Sequence, residues 1–205
     1  MTGRFITVEG IEGSGKSTCI QVIREVLERQ GKTVLCTREP GGTPLAEAMR
    51  ALLLKHWDEP FDAQAELLLV FAARAQHLHT RIEPALDAGQ WVVSDRFTDA
   101  TYAYQGGGRG LSKEMIGSLE QMVQGKRRPD MTLLLTVDPE RGMARARARA
   151  ELDRFESETI AFYERVQSAY LERARQEPDR FVVIDSNQPL EKVQEAIRRA
   201  ILSGL

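Results

Sequence analysis

The chain has 205 residues, and its 28 basic and 30 acidic side chains leave a formal charge of −2. At roughly 150 residues per domain, that length favours one domain and can bury a core without disulfides or metals. A hydrophobic content of 42% excludes a disordered chain, and no apolar run approaches the ~20 residues of a membrane span. The N-terminus turns at once into a candidate strand, Phe5 to Val8, with no apolar stretch of the signal-peptide kind. A helix is expected over Lys16 to Arg29, where Ile20, Ile23 and Leu27 fall on one face. A second strand is expected over Thr33 to Thr37. Leucine-rich helices follow over Leu45 to Leu54 and Ala63 to Ala88, the latter bent or interrupted at Pro84. Strands are then expected at Trp91 to Ser94, Thr132 to Val137 and Phe181 to Ile184. Helical periodicity marks Lys113 to Gln124, Glu140 to Ala150, Glu156 to Arg175 and Leu190 to Leu202. Alternating strands and helices predict an α/β fold on a parallel sheet of five strands, in a single domain over 1–205. The only two cysteines, Cys19 and Cys36, lie in apolar surroundings, which suits reduced thiols and a cytoplasmic setting.

Gly10-Ile11-Glu12-Gly13-Ser14-Gly15-Lys16-Ser17 fits the phosphate-binding loop G-x-x-x-x-G-K-[ST], between a strand and a helix as the motif requires. Glycines let successive backbone N–H groups curl around phosphates, and the helix N-terminus adds partial positive charge. Lys16 is expected to reach the β- and γ-phosphates of a nucleoside triphosphate, and Ser17 to ligate Mg²⁺. Thr18 completes the set expected around the triphosphate. No D-x-x-G switch or N-K-x-D guanine reader follows the first strand, which argues against a GTPase.

The basic residues comprise 22 Arg and only 6 Lys. Arginine makes planar, bidentate contacts with phosphate, although a coding bias would give the same count. Thr37-Arg38-Glu39-Pro40-Gly41-Gly42-Thr43 follows the second strand and Asp95-Arg96-Phe97 the third. In parallel sheets both positions face the ligand crevice. Further on stand Phe71-Ala72-Ala73-Arg74 and Thr101-Tyr102-Ala103-Tyr104-Gln105-Gly106-Gly107-Gly108-Arg109. In this order, over almost the whole chain, these motifs resemble the thymidylate kinase family, which phosphorylates dTMP with ATP.

The resemblance implies a P-loop nucleoside monophosphate kinase-like fold with a small lid at about 140–155. It implies that Arg96 holds the dTMP phosphate, with Glu39 and Arg50 along the monophosphate side. Asp95 would help to arrange Mg²⁺ and water, and Glu12 would sit near the sugar 3′-hydroxyl. Arg74 would donate to thymine O4, Thr101 and Gln105 would address the other polar edge of the base, and Tyr104 would crowd a ribose 2′-hydroxyl. Family members place a base-stacking Phe four residues before the base-reading Arg, but that position is Val70 here. Phe71 stands one residue later, about 100° around the helix, and either Phe71 stacks or Val70 supplies an apolar floor; a contact from Phe71 is expected.

Arg141, Arg145, Arg147, Arg149 and Arg154 crowd one segment whose Arg-Ala alternation favours helix but shows no wide apolar face. A solvated helix or a nucleic-acid patch would read the same way, although a charge of −2 argues against nucleic acid. The resemblance instead implies the bacterial form of the lid, which supplies a catalytic arginine that the P-loop lacks. Arg149 and Arg154 are the candidates for that role, with Arg145 nearer the adenine or the phosphates. The family also implies a homodimer through the helices that carry Leu52 to Leu54 and Leu67 to Leu69. Two alternatives remain open: another nucleotide or deoxynucleoside kinase on the same fold, and a non-enzymatic ATP switch. A switch has no need of the second anion site at Arg50, Asp95 and Arg96.

Overall fold

Phe5–Glu9 (β1), Val34–Arg38 (β2), Trp91–Asp95 (β3), Met131–Thr136 (β4) and Phe181–Asp185 (β5) form one parallel sheet in the order β2-β3-β1-β4-β5. The structure is a computed structural model and describes residues 3–148 and 153–204. Parallel strands need crossovers, and the crossover helices cover both faces. All five residues of the central strand β1 are therefore buried. Side chains alternate between the two faces, as the pleat dictates. Ile6, Val8, Leu133 and Leu135 pack with Cys19, Ile23, Leu27, Ile197 and Ile201 on one side. On the other, Phe5 and Val92 meet Leu78 and Ile82, while Leu134 meets Tyr163, Val166 and Tyr170.

The helices are Lys16–Arg29 (α1), Pro44–Leu54 (α2), Ala63–His77 (α3), Glu83–Asp87 (α4), Thr98–Thr101 (α5), Lys113–Gln124 (α6), Pro139–Arg147 (α7), Ile160–Gln176 (α8) and Leu190–Ser203 (α9). Caps fix several starts. Thr43 Oγ1 accepts from Ala46 N with Pro44 in the first turn, Asp62 accepts from Gln64 N and Ala65 N, and Ser112 accepts from Met115 N.

Four differences from the expected elements have local causes. The long helix expected over Ala63 to Ala88 ends at His77. A wider turn, Leu78–Ile82, then leads into α4, whose first turn contains Pro84. Thr98 to Gly108 is helical despite its three glycines, with a wide-turn stretch over Tyr102–Gly108. The glycines serve close packing on α8, since a Cβ on Gly107 would lie 2.6 Å from Ala169 Cβ and one on Gly108 2.5 Å from a Phe162 ring carbon. The helix α8 starts at Ile160 rather than Glu156, because Asp153 Oδ1 accepts from Phe155 N and Glu156 N and closes a turn before the Thr159 cap. Finally, α7 does bury a face, a narrow one made of Gly142, Met143 and Ala146.

Candidate active site

Register brings the carboxyl ends of the strands level, with Val8 opposite both Asp95 and Leu133, and Arg38 opposite Asp95. One cavity opens there, and its two ends differ in chemistry. At the first end the P-loop presents Glu12, Gly13, Gly15, Lys16 and Ser17. Gly15 caps α1 with φ 94°, and Gly13 has φ 69°, conformations that favour glycine. A Cβ on Gly13 would fall 2.0 Å from Gly142 O, so the loop apex rests directly on the α7 backbone. Arg145 Nη1, one turn along α7, donates to Gly13 O at 3.3 Å. Lys16 Nζ donates to Gly10 O and Ile11 O at 3.1 Å each and stands 3.5 Å from Glu12 Oε2. Gly10, Ile11, Ser14 and Thr18 are not among the cavity's lining residues.

The second end is cationic. Arg96 has φ 69°, the only positive φ outside glycine among the described residues. Such strain persists where the surroundings over-determine it. Arg96 Nη2 donates to Glu12 Oε1 at 2.6 Å and to the Tyr104 hydroxyl at 2.8 Å, and that hydroxyl donates to Glu12 Oε1 at 3.3 Å. Burial alone would raise the Glu12 pKa, but the Arg96 and Lys16 cations outweigh it and lower the value to about 2. Arg50 donates to Pro40 O at 2.8 Å. Burial and the neighbouring Arg38 and Arg96 guanidiniums depress its pKa. Three cations that repel one another at the end of a cavity suit a phosphate dianion.

Between the ends lie Val70, Phe97, Ala100, Thr101 and the buried Arg74. Arg74 Nε donates to Glu39 Oε2 at 2.7 Å, and Nη2 donates to Phe97 O at 3.2 Å and Thr101 Oγ1 at 2.9 Å. Its Nη1 has no hydrogen-bond partner. A buried donor left free in a cavity calls for a ligand acceptor. Gln105 completes this wall.

Asp95 Oδ1 is also buried without a hydrogen-bond partner, 4.0 Å from Arg96 Nη1, and lines the cavity with Ser17. A carboxylate and a hydroxyl fit a hard cation. Among the described residues no cluster of three His, Cys, Asp or Glu could hold a metal by itself. A Mg²⁺ here would draw its other ligands from phosphates and water, as that ion prefers.

Two expected residues are placed otherwise. Phe71 does not line the cavity; it packs with Leu67 and Ile116, and its ring lies 4.8 Å from the Arg74 guanidinium. Val70 is the apolar surface that the cavity meets, because the helical rotation between the two residues turns the phenyl ring inward. Arg154 does not line it either: its Nε donates to Leu53 O at 2.9 Å and its Nη2 stands 2.7 Å from Glu66 Oε2. Arg149 lies outside the described residues. Asp153, Phe155 and Glu156, which no sequence motif marks, also line the cavity from beyond the arginine-rich segment. Phe155 meets Tyr104 edge to face at 5.8 Å. An apolar residue beside acids in a turn carried no periodic signal.

A family model described as thymidylate kinase matches residues 8–197. The chain is 58% identical over 203 residues to a thymidylate kinase of Hahella chejuensis, covering 99% of this chain and 98% of the relative. It is 60% identical over 201 residues to a thymidylate kinase of Pseudomonas putida, covering 98% and 97%. The crystal structure of thymidylate kinase from Ehrlichia chaffeensis superposes with a TM-score of 0.80 at 33% identity, covering 98% of this chain and 99% of that one.

Proposed function

The chain belongs to the thymidylate kinase family and transfers a phosphoryl group from ATP to dTMP; from that premise we propose how its residues divide the work. The P-loop residues Gly10 to Thr18 take the ATP phosphates, with backbone N–H groups and Lys16 on the β- and γ-phosphates. Arg96 and Arg50 hold the dTMP phosphate at the cationic end, with Glu39 lining the monophosphate side. Glu12, ionised because its pKa is lowered to about 2, accepts from the sugar 3′-hydroxyl. Tyr104 fills the space a 2′-hydroxyl would need. Val70 supports the thymine ring, Arg74 Nη1 donates to its O4, and Thr101 and Gln105 meet the remaining polar edge.

A phosphate oxygen of dTMP attacks the γ-phosphorus in line with the departing ADP oxygen. No general base is required, because a phosphate monoester is largely ionised at neutral pH. Charge on the transferring group is met by Lys16 and Arg96, and by Arg149 from the lid at about 140–155, with Arg145 against the P-loop. Ser17 and Asp95 would hold Mg²⁺, which neutralises phosphate charge when bound. The whole chain 1–205 works as one domain. We place it in the cytoplasm as a homodimer: both cysteines are free thiols, and Leu52 and Leu68 stand exposed on the packed pair α2 and α3. Among the described residues no helix is long and apolar enough to cross a membrane. Sedimentation equilibrium should give twice the chain mass, and a monomer at micromolar concentration would remove the dimer.

The observation that carries this reading is the single cavity linking the P-loop to Arg50 and Arg96, with an unpaired Arg74 donor between them. A coupled assay of ADP release with dTMP, dUMP, dCMP, AMP and thymidine tests it. Turnover should be fastest with dTMP; equal or faster turnover of another acceptor overturns the assignment.

A further inference from the structure

Glu66 has no place in the reaction just described, yet its side chain is wholly buried on α3. An ionised carboxylate is stable there only when surrounded by donors, and donors surround it. Gln105 Nε2 donates to Oε1 at 2.8 Å, Arg109 Nε donates to both oxygens at 3.3 Å, and the Arg154 guanidinium lies 2.7 Å from Oε2. Two arginines and an amide N–H face this side chain, and a carboxylate accepts hydrogen bonds but has no N–H to donate.

That chemistry constrains Gln105. A free amide can turn either its oxygen or its nitrogen to a ligand. Against a carboxylate only the nitrogen is favourable, so Oε1 is the amide atom left for the cavity that Gln105 lines. One helical turn away, Thr101 accepts from Arg74 Nη2, while Arg74 Nη1 is unpartnered. The wall therefore offers one acceptor beside one donor. Thymine presents N3–H beside the O4 acceptor, the complement of that pair. Cytosine presents an N3 acceptor beside the N4 amino donor, which opposes acceptor to acceptor and donor to donor.

We propose that Glu66 is a positioning residue that sets the acceptor site's preference for thymine over cytosine by fixing the direction of the Gln105 amide. The inference rests on the reading of Gln105 and Arg74 as base contacts. Uracil has the same N3–H and O4 as thymine, so the device separates dTMP from dCMP and leaves dUMP untouched.

The test compares kcat/KM for dTMP, dUMP and dCMP, and KM for ATP, in wild type, Glu66→Gln, Glu66→Asp and Gln105→Leu. In Glu66→Gln the new amide can donate as well as accept, and Gln105 is free to turn over. The dTMP-to-dCMP ratio should fall by about tenfold or more, since a mispaired buried polar contact governs discrimination of this kind. The dTMP-to-dUMP ratio and the ATP KM should stay as in wild type. Glu66→Asp, still an acceptor only, should keep the dTMP-to-dCMP ratio. If Glu66→Gln alone does not fold, the charge-balanced Glu66→Gln/Arg109→Gln carries the same expectation. An unchanged dTMP-to-dCMP ratio beside a lowered melting temperature would make Glu66 purely structural and overturn the proposal. If Gln105→Leu loses the discrimination while Glu66→Gln keeps it, the proposal alone falls. If Gln105→Leu leaves both KM for dTMP and the ratio unchanged, the base-contact reading falls and takes the proposal with it.

Discussion

Lys16 and Glu12, four residues apart, are the side chains for which we propose opposite substrates, ATP for the first and dTMP for the second. Lys16 Nζ is tied to Gly10 O and Ile11 O at 3.1 Å, which keeps it within the loop it serves. Lys16→Ala should lower kcat by more than about a hundredfold, the scale for losing one charge-stabilising donor, while dTMP still binds at Arg50 and Arg96. Calorimetric titration with dTMP checks the second half; lost dTMP affinity with a retained rate would contradict the assignment. Glu12 is held ionised by Arg96 and Lys16 against the cost of burial, so its pKa of about 2 lies far below any working pH. Its stabilising contribution is accordingly complete above the ordinary value of 4.5 and fades as pH falls towards about 2. From pH 5 to 9, then, no limb in kcat/KM for dTMP belongs to Glu12. The acid limb should fall near pH ~6, where the substrate phosphate takes up its second proton. The pH profile of Glu12→Gln should be lower throughout but show the same limb; a shifted limb would return the titration to Glu12. The sequence exposed these residues because the P-loop pattern is rigid. It could not reveal that Arg96 takes φ 69°, since that follows from its place between Val8 O and the Glu12 carboxylate.

On the element scale, α3 carries Glu66, Val70, Arg74 and His77 at intervals of four, four and three, which puts all four on one helix face. His77 is fully buried. Its Nδ1 is 3.0 Å from Glu39 Oε1, its Nε2 is 2.7 Å from Thr37 Oγ1, and Glu39 Oε2 in turn accepts from Arg74 Nε. Gly42 acquires a reason here: a Cβ on it would lie 2.3 Å from His77 Nε2. The helix thus braces its own Arg74, the arginine proposed to meet the base, through the end of β2. His77→Leu should raise KM for dTMP by about tenfold, the weight of one buried hydrogen bond to a charged group, with KM for ATP unchanged. Equal rises in both would mark a general loosening instead. Little of this was legible beforehand. The leucines of α3 gave its helicity, but the same periodicity ran on past His77 and hid the wide turn at Leu78–Ile82. The apolar pattern also drew attention away from Glu66. In α7 the arginine alternation hid a buried face, because Gly142 packs through its backbone and contributes no hydrophobic side chain. Strands were easier. Buried parallel strands read as short apolar runs, and all five began and ended within one or two residues of expectation.

Across the whole molecule, the strand order places β1 at the centre of the sheet, so its last residue, Glu9, sits where the two halves of the fold meet. No sequence pattern could supply that order, which depends on pairings between distant segments. Glu9 Oε1 accepts from Phe97 N, just beyond β3, and the Tyr170 hydroxyl of α8 donates to Oε2, each at 2.7 Å. The one carboxyl therefore joins three elements. Burial, with the Asp99 charge adding to it, raises the Glu9 pKa to about 8, against lowering by the Tyr170 bond and Arg96. The fold consequently favours the protonated acid, whereas an unfolded chain ionises it near the ordinary 4.5. Between those values the native state holds the extra proton, so stability falls as pH rises and levels off only above about 8. Glu9→Gln keeps the shape and an acceptor for Phe97 N, and its amide has no proton to lose. Melting temperatures from pH 5 to 9 should decline for the wild type, whereas Glu9→Gln should lack Glu9's share of that decline and gain on the wild type towards pH 9. Parallel curves for the two proteins would mean that Glu9 is ionised inside the fold and that Arg96 outweighs its burial.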